Sequence, residues 1–303
     1  MQWMFYALLL CTSLLWGGNF VAGKFLVGHA GPLVLTEMRW VVALICLAPL
    51  VWFRERKLLP PRAALWPLFW MGVTGVVLFN WFMFMALERT SAGNVGLLSA
   101  LNPVSIAVVS FFLLREKMSP RQLTGMIISL TGVLVVISRG HFATLLQLKF
   151  NVGDLFMLGA VASWGFYSVA GKKAMQYVSP YMSTLWAGVF GSLILVPFIL
   201  PSPAITAPDT AFWIATAYVS IGATVIAMLF WNIGVQKVGG TKSGIFLNFN
   251  PIFTAILSFL FLGERMTAVQ LIGTILVISG VYLFTTLSAQ TRAAMRTKAG
   301  EVR

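Results

Sequence analysis

Charged residues are scarce in this chain: Asp, Glu, Lys and Arg make up 10% of its 303 residues, against roughly 25% in a soluble domain. Hydrophobic residues make up 59%, and the mean hydropathy is +0.89. No polar segment between the apolar runs is long enough to form a separate soluble domain. The composition therefore predicts an all-α integral membrane protein, with the lipid bilayer as its surroundings.

Residues that bind metals or carry out covalent catalysis are also few. Cys11 and Cys46 both fall inside apolar segments, which indicates neither a disulfide framework nor a thiolate metal site. His29 and His141 stand alone in predicted loops, too few for a metal cluster. The G-x-x-x-x-G-K-[ST] phosphate loop and a Ser-His-acid constellation are both missing. We therefore expect no metal, no cofactor and no enzymatic activity.

Acidic residues number only 8 against 21 basic ones, which gives a net charge of +13. Such a charge can indicate nucleic-acid binding, but here the cations are spread over short loops, where they orient a membrane protein. We expect no nucleic-acid partner. The first apolar run starts at Met4 without a basic region before it, so we interpret it as a permanent helix rather than a secretory signal.

Ten apolar runs are long enough to cross the hydrocarbon core, for which a helix needs about 20 residues. Charged clusters and prolines, such as Pro60-Pro61 and Pro120, separate them. The predicted spans are 4–23, 34–53, 66–87, 91–113, 120–138, 153–171, 181–200, 210–233, 243–262 and 268–287.

Lys and Arg are distributed unevenly between alternate loops. With the N-terminus in the cytoplasm, fifteen of them lie on the cytoplasmic side, and Arg39 lies within a helix. This bias predicts that both chain ends are cytoplasmic. The opposite side holds five: Lys24, Arg89, Arg139, Lys149 and Arg265.

The chain repeats itself at a constant offset of 148 residues, which indicates duplication and fusion of one ancestral half. Because five crossings per half is an odd number, the second copy runs upside down relative to the first. We predict a first repeat at 1–139, a linker at 140–152, a second repeat at 153–288 and a cytoplasmic tail at 289–303. The matched pairs are Trp16/Trp164, Lys24/Lys172, Asn102/Asn250, Glu116/Glu264, Gly125/Gly273 and Gly132/Gly280.

Polar residues within the spans are the best pointers to a substrate path, because a polar group in hydrocarbon is costly unless it is paired or wet. We predict that asparagine amides and neighbouring aromatic rings form a binding site between the two halves. Aromatic walls beside amides suit a flat or amphiphilic metabolite. The candidate residues are Trp16, Asn19, Asn80, Trp81, Asn102, Trp164, Tyr167, Asn232, Asn248 and Asn250.

Two helix-breaking prolines, Pro103 and Pro251, occupy matched positions in the two halves. Each displaces the carbonyl four residues earlier, that of Ser99 or Leu247. Broken helices at matched positions are typical of a transporter's binding site, although neighbouring side chains could also satisfy such a kink.

Other candidates have competing interpretations. Trp16 and Trp164 precede glycines that allow close helix approach, so both could be packing or interface residues. Glu37 and Arg39 form a candidate coupling or gating pair, with an interfacial salt bridge as the simpler alternative. Glu116 and Glu264 follow the ends of spans four and nine, and we expect them to cap or hold loops rather than carry protons.

The order of these motifs resembles the EamA-type transporters of the drug/metabolite transporter superfamily. The resemblance covers residues 1–287 and rests on Trp16 to Phe20, on Ala86 to Asn94, on the two Asn-Pro pairs and on the doubled glycines. It implies ten helices in two inverted five-helix repeats around a central cavity. It also implies export of amino acids or other small metabolites across the bacterial inner membrane.

Drug-expelling relatives use a glutamate in helix one, which this chain lacks, so a multidrug carrier is the less favoured alternative. A facilitative, channel-like pore stays open because no carboxylate lies near the middle of a span. A small molecule is the expected substrate, and monomer and homodimer are equally compatible with the sequence.

Overall fold

The computed structural model describes residues 2–115, 119–138, 151–201, 204–238 and 246–283. The regular elements in these residues are all helices, with short connections between them and isolated bridges that join Val27 to Ala30 and Ala30 to Ile205. The helices are α1 (Gln2–Leu26), α2 (Pro32–Glu55), α3 (Arg62–Leu87), α4 (Ala92–Ser99), α5 (Asn102–Leu114), α6 (Pro120–Ile137), α7 (Val152–Ala174), α8 (Pro180–Ile199), α9 (Thr210–Ala217, Tyr218–Ile226 and Ala227–Val238 in succession), α10 (Asn250–Leu262) and α11 (Ala268–Leu283).

Six of these helices are long and apolar enough to cross a membrane, namely α1, α2, α3, α7, α8 and α9. Helices α4 and α5 form a seventh candidate span, bent by 41° where the chain reaches Asn102 and Pro103. Helices α6, α10 and α11 are apolar but shorter. Each predicted span overlaps one helix, with two exceptions. The fourth is divided between α4 and α5, and the described part of the ninth contains the 3-10 turn Leu247–Phe249 before α10.

Side chains at the helix starts satisfy backbone N–H groups that have no partner within the helix. Ser119 forms a capping box with Gln122 at the start of α6, and Ser179 accepts from the N–H of Met182 at the start of α8. Asp209 does the same for α9. Such caps matter at a membrane because an unpaired N–H group cannot enter hydrocarbon cheaply.

The outer surface of the bundle is apolar, which is the arrangement expected of a protein surrounded by lipid. Large hydrophobic side chains that would be buried in a soluble domain are exposed along several helices. Examples on α5, α8, α10 and α11 are Phe112, Phe198, Phe259, Leu260 and Ile275.

Helices α6 and α11 approach each other closely through glycines. A Cβ on Gly132 would lie 2.8 Å from the carbonyl oxygen of Gly273, and one on Gly280 would lie 2.6 Å from the carbonyl oxygen of Gly125. These contacts show that the two helices run antiparallel, since the earlier glycine of α6 meets the later glycine of α11. These glycine faces pack within a single chain and are therefore not free to form a dimer.

We expect Gly132→Ala to destabilise the protein, because its methyl group would collide with backbone atoms of α11 and push the two helices apart. The expected loss is about 1–3 kcal/mol, typical of overpacking. Gly171→Ala is the matched control: its methyl group would meet only the flexible side chains of Met71, at 3.4 Å, and Met175, at 4.0 Å. Thermal unfolding in detergent should show a lower Tm for Gly132→Ala and an equal or higher Tm for Gly171→Ala. Equal Tm values for the two variants would contradict the close packing.

Candidate functional site

A cavity of about 80 Å³ lies in the centre of the bundle, where α1, α2, α3, α7 and α9 meet the two Asn-Pro breaks. Its wall combines amide groups, aromatic rings and one cation. Ser99 and Leu247, whose carbonyls the prolines were expected to release, both line it. The predicted site residues in its wall are Trp16, Asn19, Asn80, Asn102, Trp164, Tyr167 and Asn250.

Aromatic rings from both halves of the chain form one side of this cavity. Trp16 and Trp164 meet edge to face, with 6.3 Å between ring centroids. Trp164 also contacts Tyr167 at 4.8 Å and Phe79 at 5.1 Å. The indole N–H of Trp16 donates to the carbonyl of Ala223 at 2.9 Å, which fixes the ring. The rings therefore offer an apolar surface in a defined orientation.

Glycines after these tryptophans allow the helices to cross closely beside the cavity. A Cβ on Gly17 would lie 3.0 Å from the carbonyl oxygen of Asn250, and one on Gly165 would lie 2.9 Å from that of Ser105. Helix α1 thus crosses α10 as α7 crosses α5. Both interpretations of the Trp-Gly pairs therefore hold. The glycine allows close helix packing, and the tryptophan beside it forms part of the cavity wall.

Two π-helical stretches border the cavity, Gly72–Leu78 in α3 and Tyr218–Ile226 in α9. A π-turn leaves carbonyls without their ordinary helical partners. Asn80 Nδ2 donates to the carbonyls of Gly75 at 3.1 Å and Val76 at 2.8 Å. Thr224 Oγ1 donates to the carbonyl of Val219 at 2.8 Å. Polar side chains therefore stabilise both irregular stretches from the cavity side.

Arg39 extends from α2 into the cavity wall, and its side chain is only 7% exposed. Its Nε donates to Thr224 Oγ1 at 2.7 Å, and its Nη1 donates to Asn80 Oδ1 at 3.0 Å. The cation is therefore held between the two irregular stretches. The interfacial salt bridge considered above would place this side chain at the membrane surface, but Arg39 lines the cavity instead.

The predicted pairing of Glu37 with Arg39 is wrong for this structure. In the described part of the chain, the ion pair within 4.0 Å is that of Arg89 with Glu88. Residues two apart on a helix point in different directions, so Glu37 cannot follow Arg39 toward Asn80. Glu37 is 8% exposed, and its Oε2 makes no hydrogen bond.

Three asparagine amides in the cavity wall are incompletely hydrogen-bonded. The Oδ1 atoms of Asn19, Asn102 and Asn250 have no partner, while Asn19 Nδ2 contacts the sulfur of Met83 at 3.4 Å. Buried polar atoms without partners are uncommon in native structures. Such amides are available to a bound molecule or to water.

Two predicted site residues, Trp81 and Asn248, do not line this cavity. Trp81 directly follows Asn80 on the helix and therefore points about 100° away from it, where it stacks on Phe82 at 5.2 Å. Asn248 is buried within the short 3-10 turn Leu247–Phe249. Asn232 belongs to α9, but its side chain lies outside the described part of the structure.

Other wall residues had no distinguishing signal in the sequence. Trp40, Phe79, Thr224 and Met228 line the cavity, yet each resembles the many similar residues that face lipid or core. Thr224 could be recognised only through the π-helical stretch that contains it.

Glu264 joins the two halves at one end of the bundle. Its Oε1 accepts from the N–H of Ala92 and its Oε2 from the N–H of Gly93, both at 3.0 Å. The carboxylate therefore caps the N-terminus of α4, which the helix dipole favours. Nearby, Gln270 Nε2 donates to Asn94 Oδ1 at 2.7 Å. The expected loop-holding role of Glu264 agrees with these contacts; Glu116, its counterpart, lies outside the described residues.

Comparisons with known proteins identify relatives along nearly the whole chain. Residues 3–138 and 151–286 each match the EamA-like transporter family. An uncharacterized transporter of Archaeoglobus fulgidus is 31% identical over 285 residues, which covers 92% of this chain and 96% of that protein. The uncharacterized transporter YyaM of Bacillus subtilis is 30% identical, covering 91% and 92%.

One relative carries a more specific name. A protein of Salmonella typhimurium called "Probable amino-acid metabolite efflux pump" is 25% identical over 288 residues, covering 91% of this chain and 93% of its own. A solved crystal structure superposes with a TM-score of 0.68 at 19% identity and covers 95% of this chain and 98% of the other. At that identity the similarity shows the fold alone.

We expect Glu264→Ala to lower the free energy of unfolding by about 1–2 kcal/mol, because two N–H groups of α4 lose a charged acceptor. Glu88→Ala is the control, since it removes a carboxylate only from the exposed pair with Arg89, which contributes about 0–1 kcal/mol. Denaturant or thermal unfolding in detergent measures both. A larger effect at Glu88 would contradict the assigned capping role.

Proposed function

Because this chain belongs to the EamA-like transporter family, we propose that it is a secondary transporter of the bacterial inner membrane that exports amino acids or similar small metabolites by alternating access. The observation that carries this proposal is the central cavity, with amides and tryptophans contributed by both halves of the chain. The relative named as an amino-acid metabolite efflux pump supports the substrate class.

Contacts at repeat-equivalent positions support two inverted five-helix repeats. Trp16 touches Trp164, its own counterpart 148 residues later, as expected for residues on a pseudo-two-fold axis. The approach of Gly132 to Gly273 has its counterpart in that of Gly280 to Gly125. This reciprocity is the mark of a two-fold contact. Since α6 and α11 are antiparallel, an axis that relates them lies across the helices, in the plane of a membrane.

Loop contacts support alternate crossing of the membrane. Thr206 N donates to the carbonyl of His29, so the α1–α2 and α8–α9 connections meet at one end of the bundle. Trp186 Nε1 donates to the carbonyl of Leu58, so the α2–α3 connection meets α8. The first pair would be external and the second would be cytoplasmic.

Alternating access needs elements that bend around the site. The 41° break between α4 and α5 and the π-helical stretches of α3 and α9 lie beside the cavity. Irregular helices of this kind are typical binding-site elements of transporters. We propose that the halves rock about the Trp16–Trp164 contact and expose the cavity to each face in turn.

In the described residues no carboxylate lines the cavity, so a facilitative pore of the same fold is the second candidate. Counterflow distinguishes the two functions. A carrier shows saturable exchange that is accelerated by substrate on the opposite side, whereas a pore shows unsaturated flux.

We expect Asn102→Ala and Asn250→Ala each to reduce export about three- to tenfold, because each removes hydrogen bonds to the substrate. The assay uses proteoliposomes loaded with a mixture of proteinogenic amino acids and related acids, with release measured by mass spectrometry. Trp81→Leu is the control, because Trp81 does not line the cavity. Unchanged export by both Asn variants, with normal folding, would contradict this placement of the site.

The proposed orientation is tested by cysteine labelling after Cys11 and Cys46 have been replaced by Ala. An impermeant maleimide added to intact cells should label a cysteine at His29 but not one at Lys57, which should react only after the membrane is permeabilised. This pattern is expected because positively charged loops are retained in the cytoplasm. The reverse pattern would overturn the proposed orientation.

A further inference from the structure

Arg39 is a buried cation whose charge is not neutralised by any carboxylate in the described residues. Removing a guanidinium from water is costly unless an anion and several hydrogen bonds replace its hydration. Thr224 and Asn80 supply two neutral acceptors. Neither offsets the charge.

None of the described carboxylates forms an ion pair with Arg39. Glu264 caps α4 and Asp209 caps α9. Asp154 accepts from the hydroxyl of Thr90, and Glu88 pairs with Arg89. Of the other two, Glu55 accepts from Ser179, and Glu37 forms no ion pair with Arg39 within 4.0 Å.

Arg39 also has donors left over. The guanidinium carries five N–H groups, and the recorded bonds use only one on Nε and one on Nη1. Nη2 makes no hydrogen bond to the described residues. Trp40, the next residue, also lines the cavity, and its buried indole N–H has no partner. A planar fork of free donors matches the two oxygens of a carboxylate.

We propose that Arg39 binds the carboxylate of the transported compound, so that this cavity selects small carboxylic acids, either monoanions or zwitterions. The inference rests on the transport function proposed above and specifies its substrate class. A carboxylate fits better than a phosphate because one cation balances one negative charge, and none of the described lysines lines the cavity. Trp16 and Trp164 then face the rest of the molecule, including an ammonium group if one is present.

Asn80 and Thr224 act as positioning residues for this contact. Each bonds to Arg39 and to a carbonyl of its own π-helical stretch, so both stretches aim the guanidinium. Because the two stretches belong to different halves of the chain, a change in their separation alters the position of the cation. Loss of Arg39 would therefore affect substrate choice as well as affinity.

The test loads proteoliposomes with a mixture of amino acids, 2-oxo acids, phosphate monoesters, the primary amides of the same amino acids, and simple amines. Mass spectrometry identifies the compounds released faster than from protein-free vesicles. We expect every released compound to carry a free carboxylate. Release of amides, amines or phosphate monoesters at similar rates would overturn the inference and leave the transport function standing. No release at all would overturn both.

Variants then separate recognition from structure. Arg39→Gln should reduce release of the best carboxylate about tenfold or more and abolish the preference for the acid over its amide. Arg39→Lys should keep that preference at lower affinity, because the charge remains but the planar fork is lost. Arg89→Gln, which alters an exposed arginine, is the control.

The acid-to-amide ratio decides between a binding role and a purely structural one. Equal weakening of acid and amide in Arg39→Gln would mean that Arg39 only supports the fold, and would overturn the inference. If Arg39→Gln fails to fold, two measurements still decide: the release of the compound mixture by the wild-type protein and the acid-to-amide ratio of Arg39→Lys. An Arg39→Lys protein that no longer prefers acids would contradict the proposal.

Discussion

The absence of water around a membrane bundle is the constraint on which this structure depends. Within hydrocarbon each polar group must find its partner inside the protein, or its cost opposes folding. The chain meets part of this demand around the central cavity, where several of its buried polar side chains lie. Asn80, Thr224 and Arg39 form a connected network there that also stabilises two π-helical stretches. The same network gives the cavity its charge and its shape.

Duplication explains why irregular helices meet at the centre. One half with a broken helix and a π-turn cannot bury those features alone; in the inverted arrangement proposed above, each of the two copies covers the irregular helices of the other. The close crossing of α1 with α10 and of α7 with α5, through Gly17 and Gly165, places the two Asn-Pro breaks beside the same space. In the proposed mechanism, the parts that bend are those already freed from regular hydrogen bonding.

Much of this arrangement was accessible from the sequence, because polar residues in apolar runs are rare. Asn19, Asn102 and Asn250 were identified by that rule alone, and all three lie in the cavity wall. The direction in which a side chain points from its helix was harder to predict. Trp81 looked equivalent to its neighbour Asn80 but points elsewhere, and the reach of Arg39 depends on side-chain length and on partners from distant helices. The π-helical stretches left no sequence signal, since their carbonyls are satisfied by residues such as Thr224 that are common in any span.

A structure of the protein determined with a released compound bound would test the central claim most directly. The account predicts that the ligand lies between Trp16 and Trp164, with its carboxylate within hydrogen-bonding distance of Arg39. Ligand bound on the lipid-facing surface, or at the end of the bundle near Glu264 with the central cavity empty, would contradict it.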